Sequence, residues 1–194
     1  MDDRTFQRLA LALVLFTAAV LFAIRLAGPP NLMDNDQERP ASYVLDVVKN
    51  GHWVVQHSWM GGVASKPPLY TWLAALATLP FERANLFSLY LPAALSVAGM
   101  ALVVLLAGRR FFGPAAGLLG SMMFLLSPMM TRQIALARTD GLFALIVCLA
   151  ALAGFGKRWT LFWVLAALAT LAKGPLGVIL AAGGLLESLP VWSG

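Results

Sequence analysis

Apolar residues in this chain are gathered into long runs. Runs near membrane-spanning length recur at residues 9–27, 85–107, 114–131, 140–155, 159–172 and 175–191, and a shorter one covers 68–81. Since a bilayer offers no partner to backbone N–H and C=O groups, each run should be helical. The pattern predicts an all-α, polytopic membrane helical bundle with about six spans.

Short corners rich in glycine, proline and basic residues separate the later runs. They read "GRRFFGP" at 108–114, "TRQIALARTDG" at 131–141, "GFGKRW" at 154–159 and "LAKGPLG" at 171–177. Glycine and proline are residues at which helices stop and restart. We therefore place the turns of the bundle at these four corners.

The basic residues indicate an orientation. Tight basic pairs at 109–110 and 157–158 lack adjacent acids and are expected in the cytoplasm together with Arg4 and Arg8. If both ends are cytoplasmic, the chain must cross the membrane an even number of times before residue 109. Three apolar runs precede that residue, so one of them should not cross. The run at 68–81 is shorter than the roughly 20 residues of a span, so we interpret it as an embedded or interfacial helix that does not cross.

This topology treats the chain as a single membrane domain, 1–194, with a cytoplasmic N-terminus. It consists of a retained first span at 1–27, an extracytoplasmic loop at 28–67 and the remaining helices at 68–194. The corners at 138–140 and 173–175 fall on the same outer face as the loop. Most of the unusual polar residues then share one side of the membrane.

Composition supports lipid as the main solvent and argues against nucleic acid as a partner. Hydrophobic residues make up 60% of the chain and charged residues 12%, more apolar surface than a soluble domain of this size could bury. The net charge is +5, but the basic residues stand at the ends of apolar runs rather than in a stripe. Cys148 is the single cysteine, so no intramolecular disulfide can form.

The outer loop is too long for a simple connection. Residues 41–51 have a helical pattern that ends at Asn50 and Gly51, which predicts an amphipathic juxtamembrane helix lying in the interface. Its apolar side is formed by Tyr43, Val44, Val47 and Val48.

Two lysines each precede a proline at a helix start. Lys66 precedes Pro67 and Pro68, and Lys173 comes before Pro175. An ammonium beside free helix N–H groups is suited to a phosphate. The alternative is that both lysines simply extend to the membrane surface, as lysines at span ends commonly do.

Asp36 and Asp140 are the candidate carboxylates. Asp140 lies with Arg138 at the mouth of a span, a costly depth for an ionised pair, although solvated acids at membrane edges are common. His52 and His57 lack helical i, i+4 spacing and a nearby cysteine, so we predict no metal site.

The segment from residue 34 to 76 resembles the first outer loop of GT-C class membrane glycosyltransferases, in particular the aminoarabinose transferase and protein O-mannosyltransferase-like family. The family's ordered elements are an acidic-Arg motif, a G-x-W element, Lys-Pro-Pro, a later Asp and a K-G-P corner, and all five occur here. The resemblance implies catalytic roles for Asp36 and Asp140, donor-phosphate binding by Lys66 and Lys173, and a supporting role for Arg39. Arg138, beside Asp140, is also assigned a supporting role.

The implied reaction is an inverting transfer of a sugar from a polyprenyl-phosphate donor. Asp36 would orient or deprotonate the acceptor, while Lys66 and Lys173 would stabilise the departing phosphate. No cofactor is implied. The partners would be the donor, membrane lipid and an acceptor that is a lipid, glycan or protein, in a bacterial inner membrane with a periplasmic or extracellular active face.

The chain departs from the family's pattern in its motifs. Gln37 replaces a second acid, Pro40 a tyrosine and Ser65 an acid that often precedes Lys-Pro-Pro. The two missing carboxylates weaken any metal-dependent version of the mechanism.

The family's members are also several hundred residues long. The chain could therefore be a fragment, be completed by a second polypeptide, or be degenerate. A second hypothesis is a non-catalytic membrane protein that binds or moves lipid-linked sugars.

Overall fold

The structure, a computed structural model, describes residues 2–30, 32, 35–81 and 83–186, with the side chains of 35, 36 and 184–186 outside the described part. Within these residues the chain forms nine α-helices and no β-strand, and a short 3₁₀ turn, Leu79–Phe81, follows α3. The helices are α1 (Asp3–Ala27), α2 (Asn35–Asn50), α3 (Leu69–Thr78), α4 (Leu86–Phe112), α5 (Pro114–Leu126), α6 (Pro128–Ile134), α7 (Thr139–Phe155), α8 (Trp159–Lys173) and α9 (Leu176–Leu186).

The helical membrane class is confirmed, and the predicted number of spans matches in part. Among the described residues, α1 and α4 are long and apolar enough to cross a membrane, and α5 with α6 makes a third candidate that is bent by 65°. Helices α7 and α8 have 17 and 15 residues, fewer than the roughly 20 that a full span needs. The predicted run at 175–191 continues beyond the described residues.

Helix α4 lies at the centre of the bundle and separates two apolar clusters. One cluster joins α1, α4, α5 and α6 through Val14, Val97 and Leu125. The other joins α3, α4, α7 and α8 through buried side chains that include Tyr70 and Tyr90. Helix α2 packs across α3 and the start of α4, so the outer loop is fastened to the bundle.

On the first helix, small side chains face inward and large ones outward. On α1 the buried positions are Ala10, Val14 and Ala18, whereas Phe16 is 67% exposed and Ile24 63% exposed. Lipid is as apolar as leucine, so helices in a bilayer associate through close contact of small residues instead of by burying large ones. This distribution is the one expected of helices that lipid surrounds.

Glycine permits the closest approach between two helices. Helices α4 and α5 are joined by Gly113, whose φ is +95°. A Cβ on Gly117 would lie 2.5 Å from the backbone oxygen of Leu105 and 2.6 Å from the backbone nitrogen of Arg109. Only a residue without a side chain fits there.

Three boundaries differ from the sequence predictions. The predicted single run at 114–131 is two helices, because Pro128 cannot continue α5 and instead begins α6. Arg109 and Arg110 lie in the last turn of α4 instead of in a loop. The predicted helix at 41–51 begins earlier, at Asn35, and contains Pro40. It therefore carries Asp36, Gln37 and Arg39 on a regular element.

Candidate functional site

Asp140 and Lys173 form an ion pair at one end of the bundle. Asp140 lies in the first turn of α7 and Lys173 ends α8, and the two helices pack side by side in opposite directions. Lys173 Nζ donates to Asp140 Oδ1 at 2.6 Å, with side chains 43% and 40% exposed. An acid at a helix N-terminus and a base at a C-terminus both suit the helix dipole.

Two features fix Lys173 at its corner. Its ammonium lies 5.6 Å from the centre of the Phe143 ring, on the next turn of α7 from Asp140. Gly174 follows with a φ of +86°, a backbone conformation that glycine adopts without strain. The chain then passes through Pro175 into α9, so the predicted lysine-proline corner is present.

The second lysine-proline corner faces a cleft between α2, α3 and the start of α7. Lys66 is exposed and lies just before Pro67, Pro68 and the first residue of α3. Arg39, from α2, lines the same cleft. The other lining residues are Pro40, Tyr43, Ser65, Pro67, Tyr70, Thr71 and Thr139. Thr139 immediately precedes Asp140, so the cleft adjoins the Asp140–Lys173 pair along the chain.

The cleft is small. Its volume is about 70 Å³, below the roughly 300–1,000 Å³ of sites that enclose a small ligand. The described residues therefore form one wall of a phosphate-sized recess, with Lys66 and Arg39 as its cations. A wider groove of about 400 Å³ shares Arg39, Tyr43 and Ser65 with this recess.

Two predicted site residues keep their roles as predictions. Asp36 lies in α2, and its side chain is outside the described residues. Arg138 occupies the N-cap position of α7, directly before Thr139 and Asp140, and is half-buried. Its position is that of a residue at the mouth of the helix, as the sequence suggested.

A polar network that the sequence analysis did not identify holds α2 in place. The guanidinium of Arg25 donates to the Tyr90 hydroxyl at 2.7 Å, to the Ala135 carbonyl at 3.1 Å and to the Pro29 carbonyl at 2.9 Å. The Tyr90 hydroxyl in turn donates to Gln37 Oε1 at 3.3 Å. Arg25 also stacks over the Tyr90 ring, 4.3 Å from its centre.

This network explains why a glutamine stands at position 37, where the family that the sequence resembles usually has an acid. Gln37 and Tyr90 are buried, 1% and 0% exposed, and a neutral amide avoids the cost of a buried carboxylate there. The sequence offered one signal, a lone arginine in the last turn of the first apolar run. That signal is also what a surface-reaching arginine gives, which is why the network was missed.

A third polar group lies where α2 meets the loop after it. Asp46 accepts from Asn50 Nδ2 at 2.7 Å and from the backbone N–H of His57 at 2.7 Å, and His52 Nδ1 lies 3.0 Å from its Oδ1. Burial raises the pKa of Asp46, but hydrogen bonds from Asn50, the backbone of His57 and His52 outweigh it, and the pKa falls to about 2. Asp46 is therefore an ionised carboxylate in the outer loop.

The fold is similar to two solved structures. The chain matches ArnT from Cupriavidus metallidurans in the apo state with a TM-score of 0.76 and 21% identity, and the same protein bound to undecaprenyl phosphate with a TM-score of 0.73 and 22% identity. Each match covers 94% of this chain and 37% of the other. The chain thus spans little more than a third of the length of these proteins.

Sequence comparison gives a family match over much of the chain. The profile described as dolichyl-phosphate-mannose-protein mannosyltransferase matches residues 65–186, from the residue before Lys66 to the end of α9. Comparison with curated proteins gives no match.

Proposed function

Because the chain belongs to the dolichyl-phosphate-mannose-protein mannosyltransferase family, we propose that it serves sugar transfer from a polyprenyl-phosphate donor to a lipid, glycan or protein acceptor. The observation that carries this proposal is the grouping of cations at one end of the bundle. Lys66 and Arg39 line one cleft, and Lys173 pairs with Asp140 beside it. The undecaprenyl phosphate bound by the similar ArnT structure supports this class of lipid.

In the proposed reaction the cations act on the leaving group. An acceptor oxygen attacks the anomeric carbon from the face opposite the phosphate, the carbon–oxygen bond to the phosphate breaks, and its electrons remain on the polyprenyl phosphate. Lys66 and Lys173 stabilise the charge that develops on that phosphate. This displacement inverts the anomeric configuration.

Asp36 acts on the acceptor in this proposal. Where the acceptor is a hydroxyl, Asp36 orients it and takes its proton as the new bond forms. Where the acceptor is itself a phosphate, no base is required and Asp36 positions it. Arg39, three residues later on α2, supports the donor phosphate from within the cleft.

The geometry of Asp140 supports a positioning role more strongly than the catalytic role that the resemblance implied. One of its oxygens is hydrogen-bonded to Lys173 at 2.6 Å. A carboxylate held this way fixes the direction of the ammonium. Asp140 therefore orients Lys173 towards the donor, with Arg138 beside it at the start of α7.

In this proposal the site lies on the outer face of a bacterial inner membrane, with the N-terminus in the cytoplasm. The end of α1, the start of α7 and the end of α8 lie at one end of the bundle, because Arg25 reaches Ala135 and Asp140 reaches Lys173. The basic pairs at 109–110 and 157–158 lie at the other ends of α4 and α7, where the positive-inside tendency places the cytoplasm.

A non-catalytic role in holding lipid-linked sugars is the second candidate. The small volume of the cleft that Lys66 and Arg39 line, about 70 Å³, favours it. A transfer assay with membranes containing this chain and radiolabelled polyprenyl-phosphate sugars separates the two, run with and without a longer homologous C-terminal half. Transfer in either arm supports the enzyme. Donor binding without transfer in both arms favours the second candidate.

A further inference from the structure

The loop that follows α2 folds back on the helix and returns two histidines to it. Gly51 ends α2 with a φ of +71°. The loop is then closed by a β-bridge between His57 and Val63, and by hydrogen bonds from the Ser58 N–H to the Gly62 carbonyl at 2.7 Å and from the Ala64 N–H to the Gln56 carbonyl at 2.8 Å. His57 is thereby held against the last turns of α2.

The imidazoles of His52 and His57 both lie next to the Asp46 carboxylate. His52 Nδ1 lies 3.0 and 3.2 Å from the two carboxylate oxygens, and His57 Nδ1 lies 3.4 Å from Oδ2. One ligand atom from each of the three residues lies within 4.8 Å of the others. The two rings are 5.2 Å apart, centre to centre.

His57 contributes the observation that points to a ligand. Its Nδ1 is buried and has no hydrogen-bond partner among the described residues. Buried ring nitrogens are nearly always partnered, so an orphan of this kind requires an explanation. The nitrogen lies 3.4 Å from Asp46 Oδ2 without a hydrogen bond to it, as two ligands of one shared ion would.

We propose that Asp46, His52 and His57 bind one divalent transition-metal ion of the Zn²⁺ class. Imidazole nitrogen and carboxylate oxygen are ligands that Zn²⁺ takes at about 2.0–2.2 Å, which in a tetrahedron places neighbouring ligand atoms about 3.3–3.6 Å apart. The separations from Asp46, 3.0 Å between His52 Nδ1 and Oδ1 and 3.4 Å between His57 Nδ1 and Oδ2, lie close to that range. Two nitrogen ligands exclude Mg²⁺ and Ca²⁺, which prefer oxygen.

The surroundings supply the rest of such a site. Asn50 and the backbone N–H of His57 orient the carboxylate, as partners of metal ligands commonly do. The side chain of His52 is 49% exposed, so it can rotate to complete the geometry. A groove of about 460 Å³, lined by Ser42, Lys49 and Trp59 among others, opens beside the ligands and admits water to the fourth position.

A bound ion would stiffen the segment that leads to Lys66. The loop also carries the Trp53 carbonyl, which accepts a hydrogen bond from Trp72 Nε1 on α3 at 2.6 Å. A metal at Asp46 therefore ties the loop to α2 while Trp72 ties it to α3. The inference does not depend on the proposed transferase activity, because its test measures the metal itself.

The test is metal titration of the full chain, purified without a histidine tag, stripped with a chelator and carrying Cys148→Ser to remove the only thiol. Calorimetry with Zn²⁺ should give one ion per chain, and the Co²⁺-loaded chain should show the strong visible absorption of tetrahedral coordination. Asp46→Asn, His52→Gln and His57→Gln should each weaken binding at least about tenfold. Asp3→Asn, at the far end of α1, is the matched control and should bind as the parent does.

A second readout separates loss of ligands from loss of fold. Amide hydrogen exchange in residues 51–64 should slow when Zn²⁺ is added to the parent, and should not respond in the three ligand variants, whose helical circular dichroism should be unchanged. The proposal is overturned if the parent binds fewer than one Zn²⁺ ion per chain. It is equally overturned if Asp46→Asn binds as tightly as the parent, or if exchange in 51–64 is indifferent to Zn²⁺. Any of these three results would mean that Asp46 only holds the loop to α2 through its hydrogen bonds.

Discussion

Lys173 and Asp140, 33 positions apart in the sequence, are joined by a 2.6 Å hydrogen bond between Nζ and Oδ1. The resemblance had given these two residues separate roles, one for the donor phosphate and one as an acid. The structure makes them one unit at the adjoining ends of α7 and α8. A partly exposed ion pair of this kind contributes only about 0–1 kcal/mol to the free energy of unfolding. Its main effect is therefore to hold the Lys173 ammonium in one position.

The pair should affect transfer far more than stability. Lys173→Met should reduce transfer at least about 100-fold, because a charge that stabilises the leaving phosphate is lost. Each of Lys173→Met and Asp140→Asn should lower the free energy of unfolding by no more than about 1 kcal/mol. Transfer rates and detergent-denaturation curves measure the two effects.

The double variant distinguishes positioning from catalysis by Asp140. If Asp140 acts through Lys173, adding Asp140→Asn to Lys173→Met should cause no further loss of transfer, since coupled residues are not additive. Losses that multiply in the double variant would show that Asp140 acts on the reaction by itself.

Asp36 is the carboxylate proposed to act on the acceptor. Asp36→Asn should lower transfer to a hydroxyl acceptor by about 10²–10⁴, the usual contribution of a general base, while membrane insertion stays normal. The neighbouring Asp34→Asn is the control and should be near parental. Near-normal transfer by the Asp36 variant would remove this residue from the mechanism.

Features coded locally were predictable from the sequence. Apolar run length predicted the helices, and the lysine-proline corners at Lys66 and Lys173 both precede helix starts as expected. The break before Pro128 was not predicted, since we expected one segment at 114–131, although a proline within an apolar run is a local signal for it. These are properties of a few adjacent residues.

Contacts between distant segments were not predictable. Arg25 meets Tyr90 across 65 positions and Tyr90 meets Gln37 across 53, and no local pattern links them. His52 and His57 lacked helical spacing, yet a turn at Gly51 brings both to Asp46. Membrane helices are alike in composition, so which ends meet is decided by packing that a single sequence does not display.

The Tyr90 hydroxyl should matter more to stability than another buried tyrosine hydroxyl. Tyr90→Phe removes a bond from the charged Arg25, worth about 1.5–3 kcal/mol, and leaves Gln37 without this donor. Tyr70→Phe removes only the neutral bond to the Leu89 carbonyl, worth about 0.5–1.5 kcal/mol. Denaturation in mild detergent compares the two variants, and a Tyr90→Phe cost at or below that of Tyr70→Phe would contradict the importance of the network.

Gly117 should be intolerant of a side chain. Gly117→Ala should cost about 1–3 kcal/mol, because the added methyl overlaps the backbone of α4 and forces the helices apart. Gly120, also on α5, has space, since its nearest neighbour would be Val104 at 3.5 Å. Gly120→Ala should therefore be neutral or stabilising, as alanine is the better helix former. Equal costs at both glycines would show that the close contact between α4 and α5 is not the cause.

Direct binding of undecaprenyl phosphate to the purified chain in lipid nanodiscs tests the central claim, that Lys66 and Lys173 form a donor-phosphate site. Losing one charge-assisted hydrogen bond, about 1.5–3 kcal/mol, should make Lys66→Met and Lys173→Met each bind about 10- to 100-fold more weakly. Lys157→Met, at the opposite end of α7, should bind as the parent does, and undecaprenol, which has no phosphate, should bind weakly to all. Equal affinity of the parent and both lysine variants for undecaprenyl phosphate would contradict the account.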